Sequence, residues 1–319
     1  MLSFCIANYP KSSGWTQLHA DNDARLIQEL IPSSIILIDS CATKRNIVDT
    51  LSHITTTVAI GDTLIIHFSG HGQQMLSPNS HEEADGVDET LVPFDAIKHQ
   101  TAYYSGGNHF KDDDFGELLT DIRRKIGPHG LVIAVIDACH SGSLDKSIDE
   151  TDEIYRGTDE IFGAENLSAD ELSCLKEKYR HDDLDSLSNA PDLSALVFIS
   201  ACGSRQRNYE ISADGNQYGS LTYFFVETFK SVGLNNLSSF LDTLYTRMSS
   251  HNTMKFHGQR PIIRTTIMWQ VPDLPFTDTI DKDISSISKT HPQSYDWIAW
   301  ILIVIIIIGS IALWMKKKR

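Results

Sequence analysis

Two short segments carry residue types that can make and break acyl bonds. "DTLIIHFSGHGQQ", Asp62 to Gln74, ends an apolar, β-prone run with His71 held between Gly70 and Gly72. "LVIAVIDACHSGS", Leu131 to Ser143, ends a similar run with Cys139 and then small residues. A thiol becomes a strong nucleophile once an imidazole takes its proton, and the same imidazole can return that proton to a leaving amine. The partners can be far apart in sequence if the fold brings the strand ends together. Small residues at both ends let backbone N–H groups approach a carbonyl, so the amides of Gly72 and Cys139 are candidate oxyanion donors. Each residue has a plainer reading alone, since a buried cysteine often packs as a small hydrophobe. A metal site using His67 and His71 fails on geometry, because along a strand the two lie roughly 13 Å apart.

The elements that would position this pair are legible as alternating strands and helices. Leu2–Tyr9, Ser34–Asp39, Thr63–Ser69, Leu131–Asp137 and Ala195–Ser200 read as strands, several of them apolar on both faces as buried parallel strands are. Ile47, Leu51, Ile54 and Val58 share one helical face, and Phe115, Leu118, Ile122 and Ile126 another, closed by Gly127-Pro128. This pattern predicts an α/β fold with a mainly parallel central sheet flanked by helices. Ligands of such sheets bind beyond the carboxyl ends of the strands, where His71 and Cys139 fall.

Residues 145–192 break the alternation. They hold fifteen acidic and five basic residues, so they contribute −10 of the net charge of −15. A long acidic segment directly after the proposed nucleophile reads as a regulatory loop. The whole chain, 319 residues with a pI near 5.2, lacks the basic clusters that nucleic-acid binding needs. Its five cysteines form no CxxC pair, which fits a reducing compartment and no zinc ribbon.

The peptidase-like part is expected to span residues 1–270, followed by a polar stalk over 271–296. Trp297 to Met315 is free of charge and, at roughly 28 Å as a helix, long enough to cross a bilayer core. A basic tail, 316–319, follows. With no secretory signal at the N-terminus, the expected topology is single-pass, with residues 1–270 on the cytoplasmic side. The tail "KKKR" pulls the other way, because positive residues prefer the cytoplasm. Gly309 and Ser310 offer small residues for a helix–helix contact within an oligomer.

"HFSGHGQQ" and "DACHSGS" resemble the histidine and cysteine motifs of metacaspases and bacterial caspase-like peptidases. "LHADNDA" (Leu18–Ala24), "DGVDETLVPFDA" (Asp85–Ala96), "DDDFGELL" (Asp112–Leu119), "VFISACGSRQ" (Val197–Gln206) and "GSLTYFF" (Gly219–Phe225) agree in order. The resemblance covers about residues 1 to 270. It implies the caspase–haemoglobinase fold and peptide-bond hydrolysis by a His71–Cys139 dyad, with no obligatory third residue and no required cofactor. It implies that Asp23 and Asp137 line the pocket for the side chain before the cleaved bond, which selects Lys or Arg and repels Asp. It also points to calcium at Asp112 and Asp113 with Asp85 or Asp88, although carboxylates opening a helix equally serve its dipole. Given a basic-selective pocket, Arg156, Lys178 and Arg180 become candidate self-cleavage sites, and an uncut loop could instead occupy the pocket and hold the enzyme inactive.

The expected function is therefore a membrane-anchored, caspase-like cysteine endopeptidase cutting protein substrates after Lys or Arg, in a stress, cell-death or defence response. The alternative is a signalling or scaffold module whose transmembrane helix oligomerises as a membrane-disrupting effector.

Overall fold

The structure is a computed structural model that describes residues 1–77, 86–139, 154–178, 190–203, 206–255 and 259–266; the side chains of 173–174, 176–178 and 252–255 are not considered. The stalk, the apolar segment 297–315 and the basic tail lie outside the described residues, as do Asp85 and Arg180. Among the described residues no helix is long and apolar enough to cross a membrane.

A six-stranded sheet forms the centre. In spatial order it runs β2 (Ile35–Ile38), β1 (Leu2–Cys5), β3 (Thr63–Ser69), β7 (Leu131–Asp137), β8 (Ala195–Ser200) and β11 (Ile262–Thr265). The first five pair in parallel and β11 joins antiparallel at the edge. The caspase-like α/β architecture, mainly parallel and helix-flanked, is thus the one that forms. Strands β3, β7 and β8 keep the expected limits. Strand β1 stops at Cys5 rather than Tyr9, because beyond it the chain turns to lie over the strand ends.

Alternation along the strands divides the core. Leu2, Phe4, Leu64, Ile66, Phe68, Val132 and Ile136 face α2 (Lys44–Thr57) and α3 (Asp112–Ile126). The α2 N-terminus is capped by Thr43, whose side chain accepts from the Asn46 N–H. Helix α3 begins on three aspartates and ends on Arg123, Arg124 and Lys125, the charge order a helix dipole favours. Ile65, Ile133 and Val135 face the other way, toward α1 (Ala20–Leu30), α5 (Ser220–Val232) and α6 (Leu237–Lys255). On this second face the strands also carry polar residues: Ser3 and Cys5 from β1, His67 and Ser69 from β3, and Asp137 from β7.

Two small sheets stand above the strand ends. One joins β4 (Gly72–Leu76), β5 (Val87–Leu91) and β6 (Phe110–Lys111); the other is the hairpin of β9 (Glu210–Ala213) and β10 (Asn216–Gly219). The described parts of the acidic segment are folded rather than structureless. Ile161 and Ala164 pack with Val87, Phe162 bridges Met75, and Ala169–Lys178 forms α4. The charge of this segment hid an apolar spacing that can dock.

Candidate active site

Strands β3 and β7 run in register from Thr63 against Leu131 to Ser69 against Asp137. The Gly70 N–H then bonds the Asp137 carbonyl at 3.3 Å, so His71 and Cys139 each lie two residues past the last rung. Gly70 is required here: a Cβ would sit 2.9 Å from the Tyr9 hydroxyl. That hydroxyl accepts from the His71 N–H at 3.0 Å and donates to the Val92 carbonyl at 2.9 Å.

The His71 ring stacks on Trp15, with centroids 4.9 Å apart. Its Nε2 lies 2.9 Å from the Thr16 carbonyl, which can only accept, so Nε2 carries the proton and Nδ1 the lone pair. Nδ1 is buried and, among the described residues, has no hydrogen-bond partner. Burial lowers the imidazole to about 3, against the raising pull of the Thr16 carbonyl, so the ring is neutral at ordinary pH. A neutral imidazole with an unengaged Nδ1 is what a proton acceptor requires. The Cys139 thiol, however, donates to the Gln206 carbonyl at 3.0 Å, and Cys202 Sγ lies 3.3 Å away. The two groups stand on neighbouring strand ends, not yet joined.

The Cys139 N–H donates to the Arg156 carbonyl at 2.9 Å. Its candidate oxyanion amide therefore already holds a peptide carbonyl. The Val92 N–H donates to the His71 carbonyl at 3.0 Å, and the Tyr9 hydroxyl bridges the His71 N–H to the Val92 carbonyl, so this pair stands at a bonded position of the ladder. The next rung, Gly72 against Leu91, is the open kind, which leaves the Gly72 N–H pointing away from β5.

Residues 154–156 lie along β9 as an added antiparallel strand. Arg156 N–H bonds the Asn208 carbonyl and Glu210 N–H bonds the Ile154 carbonyl, both at 2.9 Å, with Tyr155 bridged to Tyr209 between them. The Arg156 side chain, 0% exposed, enters a carboxylate pocket. Its Nη2 donates to Asp23 Oδ2 and Glu210 Oε1, each at 2.8 Å, Nη1 donates to Ser69 Oγ at 2.6 Å, and Asp137 Oδ1 lies 4.0 Å from Nη1. Burial alone would lower the guanidinium, but Asp23, Asp137 and Glu210 lift it above its ordinary value. Burial pushes the Asp23 carboxyl up, with Arg156 pulling it down. Gly219 forms a wall of the pocket: a Cβ there would lie 2.2 Å from Asp137 Oδ2 and 2.6 Å from Arg156 Nη1. An extended segment thus has its Arg156 carbonyl on the Cys139 amide and its cation among carboxylates.

The family model described as metacaspase, peptidase C14 domain, matches residues 20–147. The chain is metacaspase-like. It is 27% identical to Metacaspase-1 of Arabidopsis thaliana over 66% of this chain and 60% of that one. With Metacaspase-1 of Meyerozyma guilliermondii it shares 23% identity, over 67% of this chain and 54% of the relative. The chain thus spans less than two thirds of the length of these relatives. The crystal structure of protein GSU0716 from Geobacter sulfurreducens superimposes with a TM-score of 0.53 at 21% identity, covering 83% of this chain and 91% of that one. At that identity the likeness concerns the fold alone.

In this metacaspase-like site the sequence motifs pointed to His71, Cys139, Gly72, Asp23 and Asp137, and the fold gathers all five at one end of the sheet. Two pocket residues went unnoticed in the sequence, Glu210 and Ser69, whereas Gly219 opens the motif "GSLTYFF". Alternation held a signal for Ser69, which lies on the same face of β3 as His67. Glu210 had none, since a lone glutamate after "RNY" looks like surface. Arg156, expected as a self-cleavage candidate in a loop that could occupy the pocket, is wholly buried among these carboxylates. Lys178 ends α4, outside this cluster. Of the calcium candidates Asp85 lies outside the described residues, Asp88 is ion-paired with Lys111, Asp112 and Asp113 open α3, and among the described residues no three metal-binding side chains come together. An ammonium on Asp88 already supplies the positive charge there, so no catalytic step is routed through calcium.

Proposed function

We propose that the chain is a cysteine endopeptidase cutting protein substrates after arginine or lysine, held inactive by its own Arg156 until the Arg156–Gly157 bond is cleaved. The observation that carries this reading is the Arg156 carbonyl on the Cys139 amide with its guanidinium among Asp23, Glu210 and Asp137. In the proposed reaction the thiol turns from the Gln206 carbonyl and gives its proton to His71 Nδ1. The sulfur attacks the carbonyl carbon, and the oxyanion is held by the Cys139 and Gly72 amides. On collapse the C–N bond breaks, the imidazolium returns its proton to the leaving amine, and water later hydrolyses the thioester. Three carboxylates in a dry pocket favour a cationic side chain and oppose an aspartate.

The same proposal takes residues 297–315 as a single-pass membrane anchor, with the peptidase on the cytoplasmic side and in a stress, death or defence response. That part rests on the apolar run and the family resemblance. Purified full-length chain in detergent should hydrolyse fluorogenic peptides ending in Arg or Lys, assayed with and without calcium, and yield a fragment ending at Arg156 by mass spectrometry. Cys139→Ala should abolish both signals. Cleavage after Asp instead would overturn the pocket assignment; peptide turnover that survives Cys139→Ala would overturn the nucleophile.

A further inference from the structure

His67, four residues before the catalytic candidate, is 0% exposed and lies on the face of β3 turned toward α5. Its Nε2 is 2.9 Å from Thr222 Oγ1 and its Nδ1 is 2.8 Å from Ser3 Oγ. Thr222, in the first turn of α5, donates from its hydroxyl at 2.6 Å and from its N–H at 2.7 Å to Asp137 Oδ2. Asn208 Nδ2 donates to the other carboxylate oxygen at 2.8 Å. The polarity of this chain is determined from the Asp137 end. A carboxylate facing a guanidinium accepts only, so the single hydroxyl proton of Thr222 is spent on it. Thr222 Oγ1 must then accept from His67, which places the imidazole proton on Nε2. Nδ1 in turn accepts from the Ser3 hydroxyl, and Cys5 Sγ, 3.2 Å from Ser3 Oγ, can donate to that oxygen. Burial lowers the His67 imidazole to about 4, with Asp137 pulling upward, so the neutral tautomer is the one present.

Building on the peptidase reading above, we propose that His67 is a positioning residue for the basic-residue pocket, fixing Asp137 through Thr222. A protonated Nδ1 would face the Ser3 hydroxyl and still leave Nε2 a donor, whereas a side chain with no donor would free the Thr222 hydroxyl to rotate. The carboxylate would then lose the hydroxyl that fixes it opposite the incoming cation. Nothing in this chain touches the reacting carbonyl, so its effect falls on occupancy of the pocket rather than on bond cleavage.

The test uses full-length Cys139→Ala protein and hydrogen exchange of segment 154–157, whose Arg156 amide reports whether the pocket is filled. His67→Leu should speed that exchange about tenfold, the size of one hydrogen bond to a charged group, while β1 and β3 amides keep their protection. His67→Gln, which retains a donor, should stay within about twofold. Thr222→Val should match His67→Leu, and the double variant should be no worse than Thr222→Val alone, because both act along one path. In the Cys139 background, the corresponding loss on Arg peptides should appear in KM with kcat unchanged. Unaltered exchange at 154–157 in His67→Leu, loosening spread over β1 and β3, or multiplicative effects in the double variant would overturn the proposal. Exchange that responds as expected in a protein that cuts no Arg peptide would instead overturn the peptidase reading.

Discussion

Among the described residues two arginines are almost wholly buried, and their surroundings differ. Arg123, 2% exposed, sits in the last turn of α3, where its Nε donates to the Ser194 carbonyl at 2.9 Å and its own carbonyl accepts from Ser194 N–H. Burial lowers its guanidinium below the ordinary value. Arg156, 0% exposed, meets carboxylates from α1, β7 and β9, and they lift it. Arg123 ties the helix that carries it to the backbone groups of Ser194, just before β8. Arg156 is held by groups that belong to the rest of the molecule, on a segment added to the edge of β9. Burial of a charge does not mark a site; a receptor that exists independently of that charge does.

The comparison can be broken most severely at the pocket wall. Gly219→Val would place carbon where the Arg156 guanidinium lies, and kcat/KM for Arg peptides should fall more than about a thousandfold. Circular dichroism should remain native, since the helices flanking Arg123 are untouched. Asp23→Asn comes next: it leaves the cation with one fewer charged partner, and an Arg-peptide assay should show a loss of about a hundredfold, mostly in KM.

The two arginines can then be compared directly by urea denaturation. Arg156→Met strands buried carboxylates and should cost about 3–5 kcal/mol at pH 7.5, against about 1–3 kcal/mol for Arg123→Met, which loses a bond to a neutral carbonyl. The sign with pH separates them further. Burial already holds Asp23 above its unfolded value, and loss of Arg156 raises it more. The folded state then binds more protons than the unfolded one, so the Arg156→Met deficit should shrink as pH falls from 7.5 toward 5, and the Arg123→Met deficit should not. The smallest effect concerns protein cut after Arg156, as proposed. Asp23, held up to about 6 with Arg156 in place, titrates higher once the pocket is empty, so KM for Arg peptides should rise by up to about tenfold between pH 7 and 5. Over that range kcat should show no loss from His71, whose imidazole is held down to about 3. An acid limb in kcat instead would mean that the base titrates higher once the segment has left.

Much of the sheet was legible because its signals are local. Thr63–Ser69 and Leu131–Asp137 are apolar runs ended by polar residues and glycine, and their ends coincide with the observed strands. The two small sheets were not legible. Gly72–Leu76 and Val87–Leu91 mix Gln, Asp, Glu and Thr with apolar residues, so they resemble loops until they pair with each other. The polar stripe of Ser3, His67, Ser69 and Asp137 was present as alternation, yet each strand alone offers only one or two such positions.

By itself the sequence determined where the sheet ends and which thiol and imidazole stand there, because strand formation and glycine turns depend on neighbours within a few residues. Only the tertiary structure decided what those ends face. Asp23 and Gly219 are 196 residues apart and bond at 3.0 Å, and Arg156 joins Asp23, Asp137 and Glu210 from three other elements. Electrostatic pairing depends on distance through space and on the exclusion of water, and neither is written in the order of residues.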